Sequence, residues 1–486
     1  MSSASLNTYT SGVPIFEVFS DAEDTEKTQR RQRIIDENKL MQKKITIIGA
    51  GLVGSLLGIY LARRGHVVKL FERRPDMRKE KVEAGRSINL ALSDRGIKAL
   101  KEVGIATEVM KIAIPMPGRF IHNLDGSTGF QPYGKSGQAI NSVSRGELNK
   151  KLLDLAEKEN VQIYFDHRCA EINWKQNSAS FYIGTSTKSF QADVIFGADG
   201  AYSAARMQHM LQHEKFDYQQ FYIDCGYKEI SIPPGKDGKF LMEKHALHIW
   251  PRKDYMLIAL PNLDGSFTGT LFFPFKGELS FQQLDTDNKV MDFFKKTFPD
   301  LLPLVPDLSQ QFFQNPTSSL VTVKCYPWVR NGSFSLIGDA AHAIVPFFGQ
   351  GMNCGFEDCS VLDKLIDKHG ENWSALLEEF QQMRKPDCDA IADLAVNNFI
   401  EMREKTADPK FLLQKKIEAR LYLKYPDKWI PAYSMVTFSP EIPYSVALRK
   451  GQEQEAIMQD VMNEKEIEEK WNEDSLHESI IARIKN

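Results

Sequence analysis

The chain is expected to be an α/β protein with an antiparallel-sheet layer in its middle and a helical C-terminal region. Three observations lead there. A β-α-β pattern begins at Lys43, strand-like runs crowd between Tyr222 and Phe275, and beyond Trp373 the residues are highly charged and helix-forming.

Lys43-Lys-Ile-Thr-Ile-Ile-Gly49 is a short β-branched run ending in glycine, the pattern of a buried parallel strand. Ala50–Arg64 places small and apolar residues at helical spacing, and His66–Phe71 reads as a second strand ending at Glu72. Asn149–Glu159 reads as a charged amphipathic helix and Ala192–Phe196 as another buried strand. Leu247–Trp250, Tyr255–Leu260 and Phe267–Phe273 alternate with turns, as antiparallel strands do. Ser333–Ile337 is a strand running into Gly338-Asp339. Met352–Lys368 is a helix with Met352, Phe356, Leu362, Leu365 and Ile366 on one side. The expected division is a flexible polar extension over 1–40, with Met41 an alternative start, followed by a nucleotide-binding part (41–215), a sheet layer (216–325), the rest of the nucleotide-binding part (326–372) and a helical region (373–486) that caps the site.

Composition narrows the class. With 42% hydrophobic and 26% charged residues, the 486-residue chain is that of a soluble globular protein. A net charge of −3 offers no basic surface to nucleic acid. The six cysteines are scattered without a Cys-x-x-Cys or a Cys/His cluster, so reduced thiols are expected, with neither a disulfide framework nor a metal site. No apolar run approaches the roughly 18 residues of a membrane-spanning helix. A soluble, cytoplasmic protein is the expectation.

Gly49-Ala-Gly51-Leu-Val-Gly54 stands between strand and helix, and Glu72 closes the next strand. In that context the glycines let backbone N–H groups approach a pyrophosphate at a helix N-terminus, as in Rossmann-like folds, and Glu72 can accept from ribose hydroxyls. The motif alone does not distinguish NAD from FAD. Two later strings do: Phe196-Gly-Ala-Asp199-Gly-Ala-Tyr-Ser203 and Leu336-Ile-Gly338-Asp339-Ala-Ala-His342 each follow a strand. Together the three resemble the signatures of the FAD-dependent (class A) aromatic hydroxylases, which implies a p-hydroxybenzoate hydroxylase-like fold and tightly bound FAD. The resemblance puts Gly49, Gly51, Gly54, Glu72, Arg145, Asp199, Gly338 and Asp339 on the cofactor. Gly351, Met352 and Asn353, in Gly349-Gln-Gly-Met-Asn, would lie at the flavin ring, where a helix N-terminus favours the charge of the reduced form. A second dinucleotide-binding unit is missing, so NADPH is expected to dock transiently as electron donor.

Longer strings narrow the resemblance to the kynurenine 3-monooxygenase branch: Gly85-Arg-Ser-Ile-Asn-Leu-Ala-Leu-Ser93, Leu247-His-Ile-Trp-Pro-Arg252, Val345-Pro-Phe-Phe-Gly-Gln-Gly-Met-Asn353 and Trp429-Ile-Pro-Ala-Tyr-Ser-Met-Val-Thr-Phe-Ser439. It runs from about Lys43 to Gly451. It implies L-kynurenine as substrate, hydroxylated to 3-hydroxykynurenine with O2 through a flavin C4a-hydroperoxide, in tryptophan catabolism. Arg119, Tyr133 and Tyr433 then match the grip on the substrate carboxylate, and Asn398 a substrate-contacting asparagine. Phe272, Phe347 and Met402 match the apolar wall. Asn397 next to Asn398 leaves that assignment open by one position, and Phe399 departs from the family's tyrosine.

The resemblance assigns no side chain as acid or base, because the flavin carries the chemistry; His342 reads as structural. Three other readings stay open: a related hydroxylase of phenols or polyketides, a flavin-binding protein without turnover, and a plain NAD-dependent dehydrogenase. The oligomeric expectation is a monomer or homodimer.

Overall fold

The computed structural model describes residues 42–79, 89–401 and 408–484. The expected flexible extension over 1–40, the string 85–88 and Met402 lie outside the described residues. The chain divides at Lys43/Lys44, and everything below concerns the unit that begins at Lys44.

A six-stranded sheet runs in the order Val329–Arg330, Phe334–Leu336, Val194–Gly197, Lys44–Ile48, Val67–Phe71, Gln162–Tyr164. All its pairings are parallel except the edge hairpin of Val329–Arg330 with Phe334–Leu336. Helix Leu52–Arg63 packs against Arg145–Lys158 and Gly351–His369. Three expected cofactor turns therefore leave the same end of neighbouring strands. Glycines 49, 197 and 338 follow or close Lys44–Ile48, Val194–Gly197 and Phe334–Leu336, which is where open α/β sheets bind ligands.

The second sheet has seven strands in the order Ser318–Tyr326, Asp217–Ile232, Phe267–Pro274, Tyr255–Pro261, Leu247–Arg252, Gly118–His122, Thr128–Pro132. It takes in more of the chain than the run 216–325. Gly118–His122 joins Leu247–Arg252 in parallel, with Arg119 opposite Leu247, so an early hairpin becomes the edge of a late sheet. Strand alternation gives this sheet two different faces. Met256, Leu260 and Phe272 belong to the main core, while Leu257, Ala259, Leu271 and Phe273 pack with Val290 and Phe294 of helix Asp287–Thr297 in a second core.

Beyond Trp373 the chain is helical, as expected. Trp373–Ile400 is a 28-residue helix, followed by Pro409–Lys424, Ala432–Phe438 and Tyr444–Val461. Ile417, Leu421, Trp429, Met458 and Val461 give this region a core of its own. Among the described residues, no helix is long and apolar enough to cross a membrane.

Candidate active site

A cavity of about 260 Å³ lies between the two sheets and the loop leading into helix Gly351–His369. That is near the lower end of the range for small-molecule sites. One wall is the glycine turns and the other is the even-numbered face of the seven-stranded sheet, with Met256, Ile258, Leu260, Thr270 and Phe272.

The first turn explains its own glycines. Gly49 has φ +106°, and a Cβ on it would stand 2.5 Å from the Ala198 carbonyl oxygen. A Cβ on Gly54 would fall onto the carbonyl oxygen of Gly49. Gly51 is different: beyond its own chain neighbours, nothing lies within 4 Å of where its Cβ would be, and it lines the cavity. It is also the N-cap of Leu52–Arg63, a helix with no capping side chain and no acidic residue in its first turn. An open place in front of unopposed N–H groups and a positive helix end suits a pyrophosphate.

Several expected cofactor side chains are bonded within the protein and do not stand on the cavity wall. Glu72 is buried, accepts from Ala50 N–H at 3.1 Å and from Arg74 N–H and Nε at 3.0 and 2.8 Å, and so fixes the turn. Asp199 accepts from Ser203 Oγ and from the N–H groups of Ala204 and Ala205, and so supports the start of helix Ala204–Leu211 beside its cap Ser203, while its neighbours Ala198 and Gly200 line the wall. Burial pushes its carboxyl up despite those bonds. Asn353 is equally committed: its side chain accepts from Ser93 N–H at 3.0 Å and donates to the Ala91 and Gly349 carbonyls at 2.8 and 2.7 Å. Arg145, Asp339, Gly351 and Met352 line the cavity wall. Gly338, at φ +61°, donates its N–H to Asp358 at 3.1 Å.

Opposite the glycine turns, Arg119 reaches the wall from strand Gly118–His122, and Tyr433 from the first turn of Ala432–Phe438. The rings of Tyr133 and Tyr433 lie parallel within 12° at 5.4 Å. The guanidinium carbon sits 5.2 Å from the centroid of Tyr133 and 4.8 Å from that of Tyr433. Among the described residues, buried Arg119 Nε and the buried Tyr133 hydroxyl have no hydrogen-bond partner. Burial opposes the arginine charge, but the facing tyrosines and Glu401 outweigh it, so the guanidinium is held protonated. A half-buried cation with a buried, unused Nε and a buried phenol with an unused hydroxyl call for an anionic oxygen ligand.

The apolar wall is deeper than expected. Phe347 meets Phe272 at 4.8 Å and stacks on Phe399 at 4.1 Å, and Phe348 stacks on Tyr433 at 5.4 Å. Asn398 is not on the cavity wall; it donates to the Phe347 carbonyl at 2.7 Å and holds that loop in place.

A family model described as "FAD binding domain" matches residues 42–251 and 316–395. A kynurenine 3-monooxygenase of Flavobacterium johnsoniae is 50% identical over 446 residues, which is 91% of this chain and 98% of that protein. The chain belongs to the kynurenine 3-monooxygenase family. The family's enzyme from Sus scrofa is 44% identical over 429 residues, 87% of this chain and 90% of that one. Among solved structures, 2-methyl-3-hydroxypyridine-5-carboxylic acid oxygenase shares the fold, with a TM-score of 0.63 at 19% identity over 78% of this chain and 96% of that chain. As a member of this family the protein is an FAD-dependent monooxygenase, and the open place at Gly51 and the loop at Gly351 fit that cofactor.

Sequence reasoning missed the buried charge network behind the cofactor wall. Arg384 donates from Nε to Asp358 Oδ1 at 2.7 Å and pairs with Glu357 at 2.8 Å. Asp358 also binds His342 Nε2 at 2.6 Å, which ties His342 into the network. Arg95 pairs with Glu357 at 2.6 Å, stacks over Tyr444 at 4.0 Å and donates to four carbonyls between Met435 and Ile442. The network ties the Gly338 turn, the flavin-side helix and the C-terminal helices together. The only signal in the sequence was Glu357-Asp358 inside an otherwise apolar helix face.

Proposed function

We propose that this chain hydroxylates L-kynurenine to 3-hydroxykynurenine, using NADPH and O2, within tryptophan catabolism. The observation that carries the reading is Arg119, half-buried between Tyr133 and Tyr433 with a buried, unused Nε, on the wall opposite Gly51 and Gly351. When bound and reduced, FAD supplies the activated oxygen.

The chain's own residues position and shield. Arg119 takes the substrate carboxylate, and the Tyr133 hydroxyl donates to the same group. Phe272, Phe347 and the sheet face enclose the aromatic ring and exclude water from the oxygen-transferring region. The ring amine of kynurenine enriches its neighbouring carbon in electrons, so no protein base is needed to activate it. Arg145, Asp339 and the N–H groups at Gly51 and Gly351 hold the cofactor, and Glu72, Asp199 and Asn353 keep those turns in shape.

The purified protein should be yellow and should oxidise NADPH faster with kynurenine, releasing 3-hydroxykynurenine by mass spectrometry. The same assay with 4-hydroxybenzoate should give no product. A flavin-free protein, or one that hydroxylates the phenol and leaves kynurenine untouched, overturns the reading.

A further inference from the structure

Two thiols far apart in the sequence meet behind the cofactor wall. Cys354, in the first turn of helix Gly351–His369, and Cys388, midway along Trp373–Ile400, bring their sulfurs to 3.6 Å, and both are buried. All six cysteines are free and lie within the described residues. Cysteines scattered along the sequence are thus brought together by two helices, as free thiols.

The surroundings of Cys354 set it apart. Arg384 directs Nη2 at its sulfur from 3.3 Å, and His342 Nδ1 lies 3.9 Å away. The residue also sits near the positive end of a 19-residue helix. Burial disfavours the thiolate, but Cys388, His342 and Arg384 outweigh it and bring the Cys354 thiol down to about 6. Burial instead pushes Cys169 and Cys325 up to about 12, and Cys359 upward as well.

His342, Cys354, Asp358 and Cys388 could each offer one ligand atom, all within 4.8 Å of one another. Arg384, however, already donates to Asp358 and Cys354, so a guanidinium supplies the positive charge a metal ion would bring. An activated sulfur facing a second sulfur and backed by a fixed cation suits another chemistry.

We propose that Cys354 and Cys388 form a peroxide-oxidisable thiol pair that closes a disulfide between the two helices. The Cys354 thiolate attacks one oxygen of hydrogen peroxide, the O–O bond breaks, and hydroxide leaves to become water, giving a sulfenic acid. The Cys388 sulfur then attacks that sulfur, the S–S bond forms, the S–O bond breaks, and the second oxygen departs as water with the Cys388 proton. Two thiols are oxidised and one peroxide is reduced to two waters. The bond would staple the helix that presents Gly351 and Met352 to the helix that presents Asn398 and Phe399. The proposal is independent of which aromatic substrate is hydroxylated.

The test uses the full-length protein, treated with hydrogen peroxide, alkylated, digested without reductant and mapped by mass spectrometry. The expected product is a Cys354–Cys388 linked peptide, formed at least about tenfold faster than oxidation at Cys169, Cys325 or Cys359 and undone by dithiothreitol. With Cys388→Ser, a dimedone-type probe should trap a sulfenic acid at Cys354. Disulfides spread among the other cysteines, or a Cys354 and Cys388 that stay alkylatable while the rest oxidise, would overturn the proposal. Should Cys388→Ser fail to fold, the map of the unaltered protein decides alone.

Discussion

Arg119 and Tyr433 come from a strand near the start of the chain and a short helix near its end, yet the guanidinium carbon rests 4.8 Å from the centre of the tyrosine ring. Replacing the arginine with alanine should remove the charge proposed to meet the substrate carboxylate. A lost charge-assisted pair of this kind costs about 3 kcal/mol, so kcat/KM for kynurenine should fall about 100-fold. Flavin content should not change. Arg119→Lys should restore part of the loss, because a point charge cannot reproduce the fork. Steady-state kinetics with the absorption spectrum of each variant check this, and unchanged turnover at limiting kynurenine would remove Arg119 from the site.

Gly51 and Gly54 should respond oppositely to a small side chain. Gly51→Val places its branches in the open space in front of the helix and should abolish FAD retention while thermal unfolding of the flavin-free protein stays within a few degrees. Gly54→Ala drives a methyl onto the Gly49 carbonyl and should impair folding itself. Flavin-to-protein ratios and melting curves distinguish the two outcomes.

Asn398 is expected to act through Phe347. Asn398→Ala removes the partner of a buried carbonyl, which should cost about 1–3 kcal/mol of stability. It should also lower kcat through a displaced ring wall. A rise in KM with unchanged melting would instead mean direct contact with substrate.

Arg384→Ala leaves Asp358 and Glu357 without their shared cation. Breaking a buried pair from one side costs about 3–5 kcal/mol, so the melting temperature should drop by several degrees. Arg384→Lys should recover only part of it, since one ammonium cannot serve both carboxylates in the same geometry.

Mild acid should weaken the fold through His209 and His248. Burial lowers both rings from 6.5 to about 4, so they stay neutral in the fold while the unfolded chain takes up protons first. Stability is therefore unaffected by these rings above pH 6.5 and falls as pH drops from 6.5 to 4, by about 3 kcal/mol per ring at most. The Asp199 carboxyl, raised by burial, acts in the opposite direction over part of that range. Melting curves between pH 7.5 and 5 should slope downward, and His209→Phe should flatten the slope.

The fold was legible where sequence pattern and contact coincide. The β-α-β unit, Val194–Gly197 and the helix after Gly349 were readable because each glycine turn sits beside the strand or helix that it serves. Phe272 and Phe273 show the limit: both are apolar, and only the pairing of Met256 with Phe272 tells which faces the cavity and which the second core. The family resemblance pointed to Arg119, Tyr133 and Tyr433, which the fold brings together, but the bonds that commit Asp199 to the start of helix Ala204–Leu211 and Asn353 to distant Ala91 and Ser93 are not specified by residue type alone. Glu357, Asp358, Arg384 and Arg95 escaped notice because buried ion pairs between distant segments leave no periodic signal.

The parallel seam between Leu247–Arg252 and Gly118–His122 sets an early strand beside a late one, and the site likewise joins distant parts of the chain. Every glycine turn of the cofactor wall has been synthesised once the ribosome passes residue 353, whereas the anion clamp lacks its second aromatic jaw until Tyr433 emerges. A chain that ends between those points contains every glycine of the cofactor wall but lacks Tyr433 and the carbonyls between Met435 and Ile442 that Arg95 holds, so late truncation should cost both the clamp and the network behind the cofactor wall.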